Sequence, residues 1–149
     1  MIQRPLSMRC GSEMHNNALV VIEGVAVADM HGKAHPAKWD ALIDTGADRS
    51  VVPMSACHDL GLSPHEWRSP AGFDPAAPRP KRPLYYVSVL VPGIEPAELS
   101  VYGVDRSCIL LGMDFLSKLV LAVDSRTQTA QLGKTSILKS SLLRLLAIC

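Results

Sequence analysis

The chain lacks several features, and each lack removes a class of function. It has no charge excess: fifteen Lys and Arg stand against fourteen Asp and Glu, a formal net charge of +1. A phosphate backbone calls for a clear cationic surplus, so nucleic acid is not expected as the main partner. It has no cysteine pairing pattern either. Cys10, Cys57, Cys108 and Cys149 form no C-x-x-C and keep no finger-like spacing to histidine, which points to free thiols in a reducing compartment. No stretch approaches the ~20 apolar residues that span a bilayer, so no membrane partner is expected. The opening "MIQRPLSMRCGSEMHNN" contains no apolar leader core, and the expected location is the cytoplasm. His15, His31, His35, His58 and His65 share no metal-ligand spacing, so neither metal nor cofactor is expected. Cys57 and His58 are sequence neighbours. Side chains so placed do not face each other as a nucleophile and its base must, which argues against a thiol protease.

What remains is a chain of 149 residues, 48% hydrophobic, the size of one domain with a core of its own. Residues 1–17 are polar and read as a loosely held tail. "ALVVIEGVAVADM" is rich in Val and Ile and reads as a long strand bent at Gly24. "HGKAHP" is a turn, and "AKWDALID" a second strand completing a hairpin that ends at Asp44. "DRSVVPM" is extended, and "MSACHDLGL" holds a short helix stopping near Gly61. Six of the eleven prolines then fall between Pro64 and Pro83. Proline has no ladder N–H, so this stretch is an exposed loop or hairpin arm and not a central strand. Its Arg79, Lys81 and Arg82 read as a solvated face, with attraction of acidic peptides as the alternative. "LYYVSVLVPG" and "AELSVYGVD" read as two strands, "SCILLG" as a short apolar strand, "MDFLSKLV" as two helical turns, and "VLAVDSRTQTAQLG" as a hairpin turning near Ser125 and Arg126. In "SILKSSLLRLLAIC", residues Leu138, Leu142, Leu145 and Cys149 share one helical face. That helix either packs on its own domain or joins a subunit contact. The expected class is all-β, a closed barrel or sandwich.

The residues with chemical meaning lie in "ALIDTGADRSVVP". Asp44 follows an apolar strand and enters a turn at Gly46. A glycine lets the chain fold tightly beneath the carboxylate, so that backbone N–H groups point at it. Such a carboxylate can act on water as a general base. Peptide hydrolysis also needs an acid to polarise the carbonyl and protonate the leaving amine. Two close carboxylates sharing one proton meet both needs. Only one D-T-G triplet is present; Asp124-Ser125 lacks the glycine that would complete a second.

Together with "ILLGMDFLSKLVLAVD", this stretch resembles the retropepsin-like aspartic proteases, from Ala18 to about Leu132. The resemblance implies a closed β-barrel with one short helix after the Ile109–Gly112 strand. It also implies a domain spanning 18–134, flanked by the 1–17 tail and a 135–149 amphipathic segment. It implies an aspartic endopeptidase acting on peptide or protein substrates as a homodimer, in which the second carboxylate is Asp44 of another copy. On that pattern Asp44 is the catalytic acid/base. Thr45 supplies a hydroxyl reaching across the two-fold axis, and Gly46 a backbone donor to the carboxylate. Ala47 and Asp48 contact substrate main chain, and Gly72 lies in the lid over the cleft. Two departures stand out. Met113 occupies the position where retroviral members carry an Arg paired with the acid at Asp48, and the lid is proline-rich, not glycine-rich, implying a stiffer or more open cover. The alternatives are a catalytically silent peptide-binding module of the same fold, or a structural dimerisation domain.

Overall fold

The computed structural model describes residues 8–9, 19–70, 79–124 and 129–134. The lid segment with Gly72, the turn at Ser125 and Arg126, the C-terminal segment 135–149 and nearly all of the N-terminal tail lie outside the described residues.

The elements in order are β1 (Met8–Arg9), β2 (Leu19–Ala28), β3 (Trp39–Ile43), β4 (Val51–Pro53), α1 (Met54–Asp59), β5 (Glu66–Arg68), β6 (Arg82–Leu90), β7 (Ala97–Val104), β8 (Ile109–Leu111), α2 (Met113–Leu116), β9 (Val120–Asp124) and β10 (Thr129–Gly133). Eight strands form one sheet in the order β1-β2-β3-β8-β4-β7-β6-β5, and β2 also pairs with β6. That extra pairing closes β2, β3, β8, β4, β7 and β6 into a ring of six, so the fold is all-β as expected. Closure leaves the six ring strands without open edges, while β1 and β5 remain as the terminal strands of the sheet. β9 and β10 form a separate antiparallel pair.

Strand β2 serves two neighbours because it bends. Its first half pairs with β3 and its second half with β6, and the β3 register slips between Ile22 and Val25. Gly24 sits in the slip with φ 75°, a backbone angle that a residue with a Cβ rarely adopts. The bulge turns the strand around the corner of the ring. On β6, burial on both faces blurs the alternation expected of a half-buried strand. Leu84 and Ser88 are buried and only Tyr86 is exposed, while Tyr85, Val87 and Val89 point into the core. They meet Val25, Val27, Ala41, Val52, Val101, Ile109 and Leu111 in the centre of the ring. Gly103 of β7 is needed there for space: a Cβ would come within 2.5 Å of the Tyr85 ring.

Strands β3 and β8 run parallel, with Ala41, Leu42 and Ile43 opposite Ile109, Leu110 and Leu111. Strand β8 also touches β4 at Val51–Leu110, antiparallel. The apolar segment "ILL" therefore threads between the strand that leads into Asp44 and the strand that leaves Ser50. Among the described residues the proline-rich arm contributes the three-residue edge strand β5, and, against expectation, its last two residues, Arg82 and Pro83, open β6, which lies between β5 and β7; a proline is tolerated close to the start of a strand. The helix in "MDFLSKLV" is shorter than the two turns expected. Residues Met113–Leu116 make one turn, capped at Ser117, and β9 starts at Val120. The apolar face is spent once Phe115 and Leu116 are buried, and Val120 is better placed pairing with Gly133. The two-residue β1 pairs Met8 with Val20 and Arg9 with Leu19. No helix among the described residues is long and apolar enough to cross a membrane.

Candidate active site

Asp44 lies at the exit of β3, one residue beyond the last parallel contact with β8. Its N–H donates to the Leu111 carbonyl at 3.0 Å, which extends the β3–β8 ladder into the loop. The carboxylate Oδ1 accepts the Gly46 N–H at 3.0 Å. The Ala47 N–H closes the turn on the Asp44 carbonyl at 3.3 Å. Gly46 thus gives this carboxylate a backbone donor two residues along the chain. The carboxylate is half-buried. One of its oxygens is fixed, while Oδ2 has no hydrogen-bond partner among the described residues. A carboxylate so placed has a defined orientation and one oxygen open to a water or a shared proton.

The loop is bolted from behind. The Ala47 carbonyl accepts the Met113 N–H at 2.7 Å and the Asp48 carbonyl accepts the Asp114 N–H at 3.1 Å. Gly112 makes this close approach possible. A Cβ there would meet the Ala47 carbonyl oxygen at 2.7 Å and the Arg49 carbonyl carbon at 2.8 Å, backbone atoms that move only at a cost. Next to it, Ser50 is fully buried. Its hydroxyl donates to Asp114 Oδ1 at 2.6 Å and accepts the Gly112 N–H at 3.0 Å. The Ser50 N–H is shared between Asp114 Oδ1 and Oδ2 at 2.9 and 3.0 Å. The Phe115 N–H also reaches Oδ1, at 2.9 Å. One half-buried carboxylate therefore gathers two backbone donors and a hydroxyl from segments 64 residues apart. Hydrogen bonds to a charged acceptor are the stronger kind. Sequence reasoning passed over both Ser50 and Asp114. The only available signal was a Ser four residues after Gly46 and an Asp two residues after Gly112, and nothing in the linear chain says that they meet.

The remaining expected site residues are placed as follows. Thr45 and Asp48 are exposed at the loop surface, and Ala47 is half-buried. Asp48 engages α2 through its backbone carbonyl and not through its carboxylate. The following residue carries the organised side chain: Arg49 Nη1 donates to the Ser100 carbonyl at 2.7 Å, and its guanidinium lies 5.9 Å from the centre of the Tyr102 ring. Gly72 lies outside the described residues.

Elsewhere, Cys57 of α1 is fully buried, and burial pushes its thiol up to about 12. At neutral pH it is an inert protonated thiol packed in the core. Among the described residues, no three His, Cys, Asp or Glu side chains gather as a metal site would require.

No family model matches the chain, and no curated protein does. Among solved structures the chain is similar to a retropepsin-like aspartic protease from Rickettsia conorii, at 18% identity and a TM-score of 0.47 over 80% of this chain and 98% of that one. It is similar to the retroviral protease-like domain of Ddi1 from Leishmania major, at 14% identity and a TM-score of 0.46 over 74% and 87%. It is also similar to the foamy viral protease-reverse transcriptase, at 15% identity and a TM-score of 0.46 over 72% of this chain, a match that spans 14% of that longer protein. At such identities the likeness concerns the path of the chain, and the chemistry of the site rests on the residues described above.

Proposed function

We propose that the chain is an aspartic endopeptidase that works as a homodimer, each copy supplying its Asp44 to one shared site. The observation that carries this reading is the geometry of Asp44: Oδ1 held by the Gly46 N–H, Oδ2 open, and the loop pinned to β8 and α2. A carboxylate held this way is preorganised, and a single one is chemically incomplete for peptide hydrolysis.

In the reaction, the ionised Asp44 removes a proton from a water held between the two carboxylates. The water oxygen bonds to the scissile carbonyl carbon. The protonated Asp44 of the partner copy gives its proton to the carbonyl oxygen, forming a neutral tetrahedral diol. Asp44 then gives its proton to the amide nitrogen, the C–N bond breaks while one diol hydroxyl passes its proton to the partner carboxylate, and an amine and a carboxylic acid leave. One water is consumed, and the pair again holds a single proton. Thr45, exposed beside Asp44, is the residue expected to tie the two loops across the axis.

The β9–β10 hairpin supports the dimeric reading. It lies outside the ring, and its Val123 is 48% exposed. An apolar strand pair with no further strand partner among the described residues suits pairing with its own copy across a two-fold axis. The protein is expected to act in the cytoplasm on peptides or exposed protein segments. The test is cleavage of a peptide library by the wild type beside Asp44→Asn. Cleavage by the first and none by the second supports the reading. Equal cleavage by both ends it.

A further inference from the structure

The proline-rich arm carries a charge pattern that the peptidase reading does not use. Strand β5 pairs antiparallel with the start of β6, with Glu66 opposite Leu84, Trp67 opposite Pro83 and Arg68 opposite Arg82. Arg68 and Arg82 are thus direct cross-strand neighbours on one face. Side chains in that relation start about 5 Å apart, and like charges so placed repel. Only part of this is relieved. Glu66 Oε1 takes Arg68 Nε at 2.5 Å, which leaves the two terminal nitrogens of Arg68 unengaged among the described residues. Arg79 and Lys81 add two exposed cations just before β6. Arg79, Lys81 and Arg82 enter no ion pair among the described residues. The two limbs of the arm are tied by the Ser69 hydroxyl, which donates to the Arg79 carbonyl at 3.0 Å. The chain as a whole has a net charge of only +1, so this concentration of cations is local.

A second feature coincides with the first. Strand β5 is the terminal strand of the eight-stranded sheet, and its outer edge has no strand partner among the described residues. An open edge is a template for another extended backbone. Its two faces differ. Glu66 and Arg68 lie on one side, and Trp67 on the other, 57% exposed. Charges on a short edge commonly serve to repel a stray strand. Here the cross-strand pair is all cationic, so it repels basic strands and favours acidic ones.

We propose that the open edge of β5 takes up an extended acidic peptide segment as an added strand, its carboxylates lying along Arg68 and Arg82 and its intervening apolar side chains lying against Trp67. The guanidinium forks suit carboxylates, which accept two parallel N–H donors. A polypeptide can also satisfy the backbone ladder of the edge, which an oligonucleotide cannot. The binding surface stands apart from the peptidase reading. Only the consequence that such a segment belongs to a cleaved substrate rests on it.

The test uses the full chain carrying Asp44→Asn, so that binding is measured without cleavage. The probe is a capped hexapeptide alternating Glu and Leu, followed by tryptophan emission, with Trp67→Phe used to assign the signal. Expected are a saturable emission change, weakening as salt rises, and binding about tenfold weaker for the Gln-Leu counterpart and for Arg68→Ala combined with Arg82→Ala. N-methylation of alternate peptide amides should abolish binding, because the ladder needs those donors. This arm needs no protein variant and so does not depend on how the arginine substitutions fold. Equal binding of the Gln-Leu peptide, no effect of N-methylation, or equally tight binding of a single-stranded oligonucleotide of the same charge would each overturn the proposal. Failure to bind would leave the role of Asp44 untouched, and an uncleaving wild type would leave the binding result standing.

Discussion

Replacing Asp114 with Ala tests most directly what holds the Asp44 loop in place. The carboxylate accepts the Ser50 N–H, the Ser50 hydroxyl and the Phe115 N–H. The Phe115 N–H keeps a second acceptor, the Gly112 carbonyl at 3.1 Å, so it is not orphaned. The Ser50 N–H and hydroxyl belong to a fully buried residue, where water cannot replace the lost acceptor. Leaving a buried donor unsatisfied costs about 1–3 kcal/mol. If the hydroxyl rotates to recover part of its loss, the total is roughly 2–4 kcal/mol. A domain of this size stands only about 5–15 kcal/mol above its unfolded state, so the midpoint of thermal unfolding should fall by roughly 5–15 °C. Asp114→Asn keeps one acceptor oxygen but turns an NH2 group towards the Ser50 N–H, and should cost about 1 kcal/mol. Ser50→Ala and the double variant complete a cycle. The two losses should be sub-additive by about 1 kcal/mol, because both break the same 2.6 Å bond. The assay is chemical denaturation of all four proteins, with peptide cleavage measured under fully folded conditions. A loss below about 0.5 kcal/mol for Asp114→Ala, in the range of an ordinary surface substitution, would refute the claim that this carboxylate holds the loop. So would full additivity with Ser50→Ala.

Further outcomes follow from the same geometry. Gly112→Ala should lower stability by about 1–3 kcal/mol through overpacking, and should reduce kcat more than it raises KM, because the new methyl displaces the Ala47 and Arg49 backbone behind Asp44; unchanged kinetics would show that the loop tolerates the shift. Specific activity should fall on dilution, and Val123→Glu should move that fall to higher concentration, read by cleavage beside analytical sedimentation; flat activity where only monomers sediment would contradict a shared site. Burial raises the Cys57 thiol from 9.0 to about 12, so the folded state favours the protonated form. The stability linked to it is complete below pH 9 and is lost as pH climbs through 12. Cys57→Ala should blunt alkaline unfolding in that window, followed by circular dichroism, and native Cys57 should resist thiol reagents at neutral pH.

The local grammar of the chain was readable without tertiary information. Val- and Ile-rich stretches bounded by turn residues marked β2, β3, β6, β7 and β8, because a half-buried strand needs alternating apolar side chains. Gly24 marked the bend in β2, since only a glycine takes its φ of 75° at no cost. The prolines between Pro64 and Pro83 argued against a central strand, and the structure places the edge strand β5 there, but Pro83 itself lies at the start of β6, a strand inside the sheet. The setting of Asp44 was legible because a carboxylate before a glycine turn has its orienting donor two residues away, within the same short segment. The length of α2 was misjudged for a related reason. "MDFLSKLV" carries apolar residues suited to either state, and the pairing of Val120 with Gly133 decides the matter from outside the segment.

Contacts between distant segments had no linear signature. The parallel registration of β3 on β8, the closure of β2 onto β6, and the meeting of Ser50 with Asp114 all join segments whose separation is set by the path of the whole chain. The same holds for Arg68 facing Arg82: Arg79, Lys81 and Arg82 read as an ordinary solvated run, and only the pairing of β5 with β6 sets Arg68 opposite Arg82. Sequence alone singled out Asp44 as the candidate acid, because its setting depends on neighbours along the backbone. Tertiary structure alone decided what holds the acid in place, because a buried donor is satisfied by whichever acceptor the fold brings within about 3 Å, wherever in the chain it lies.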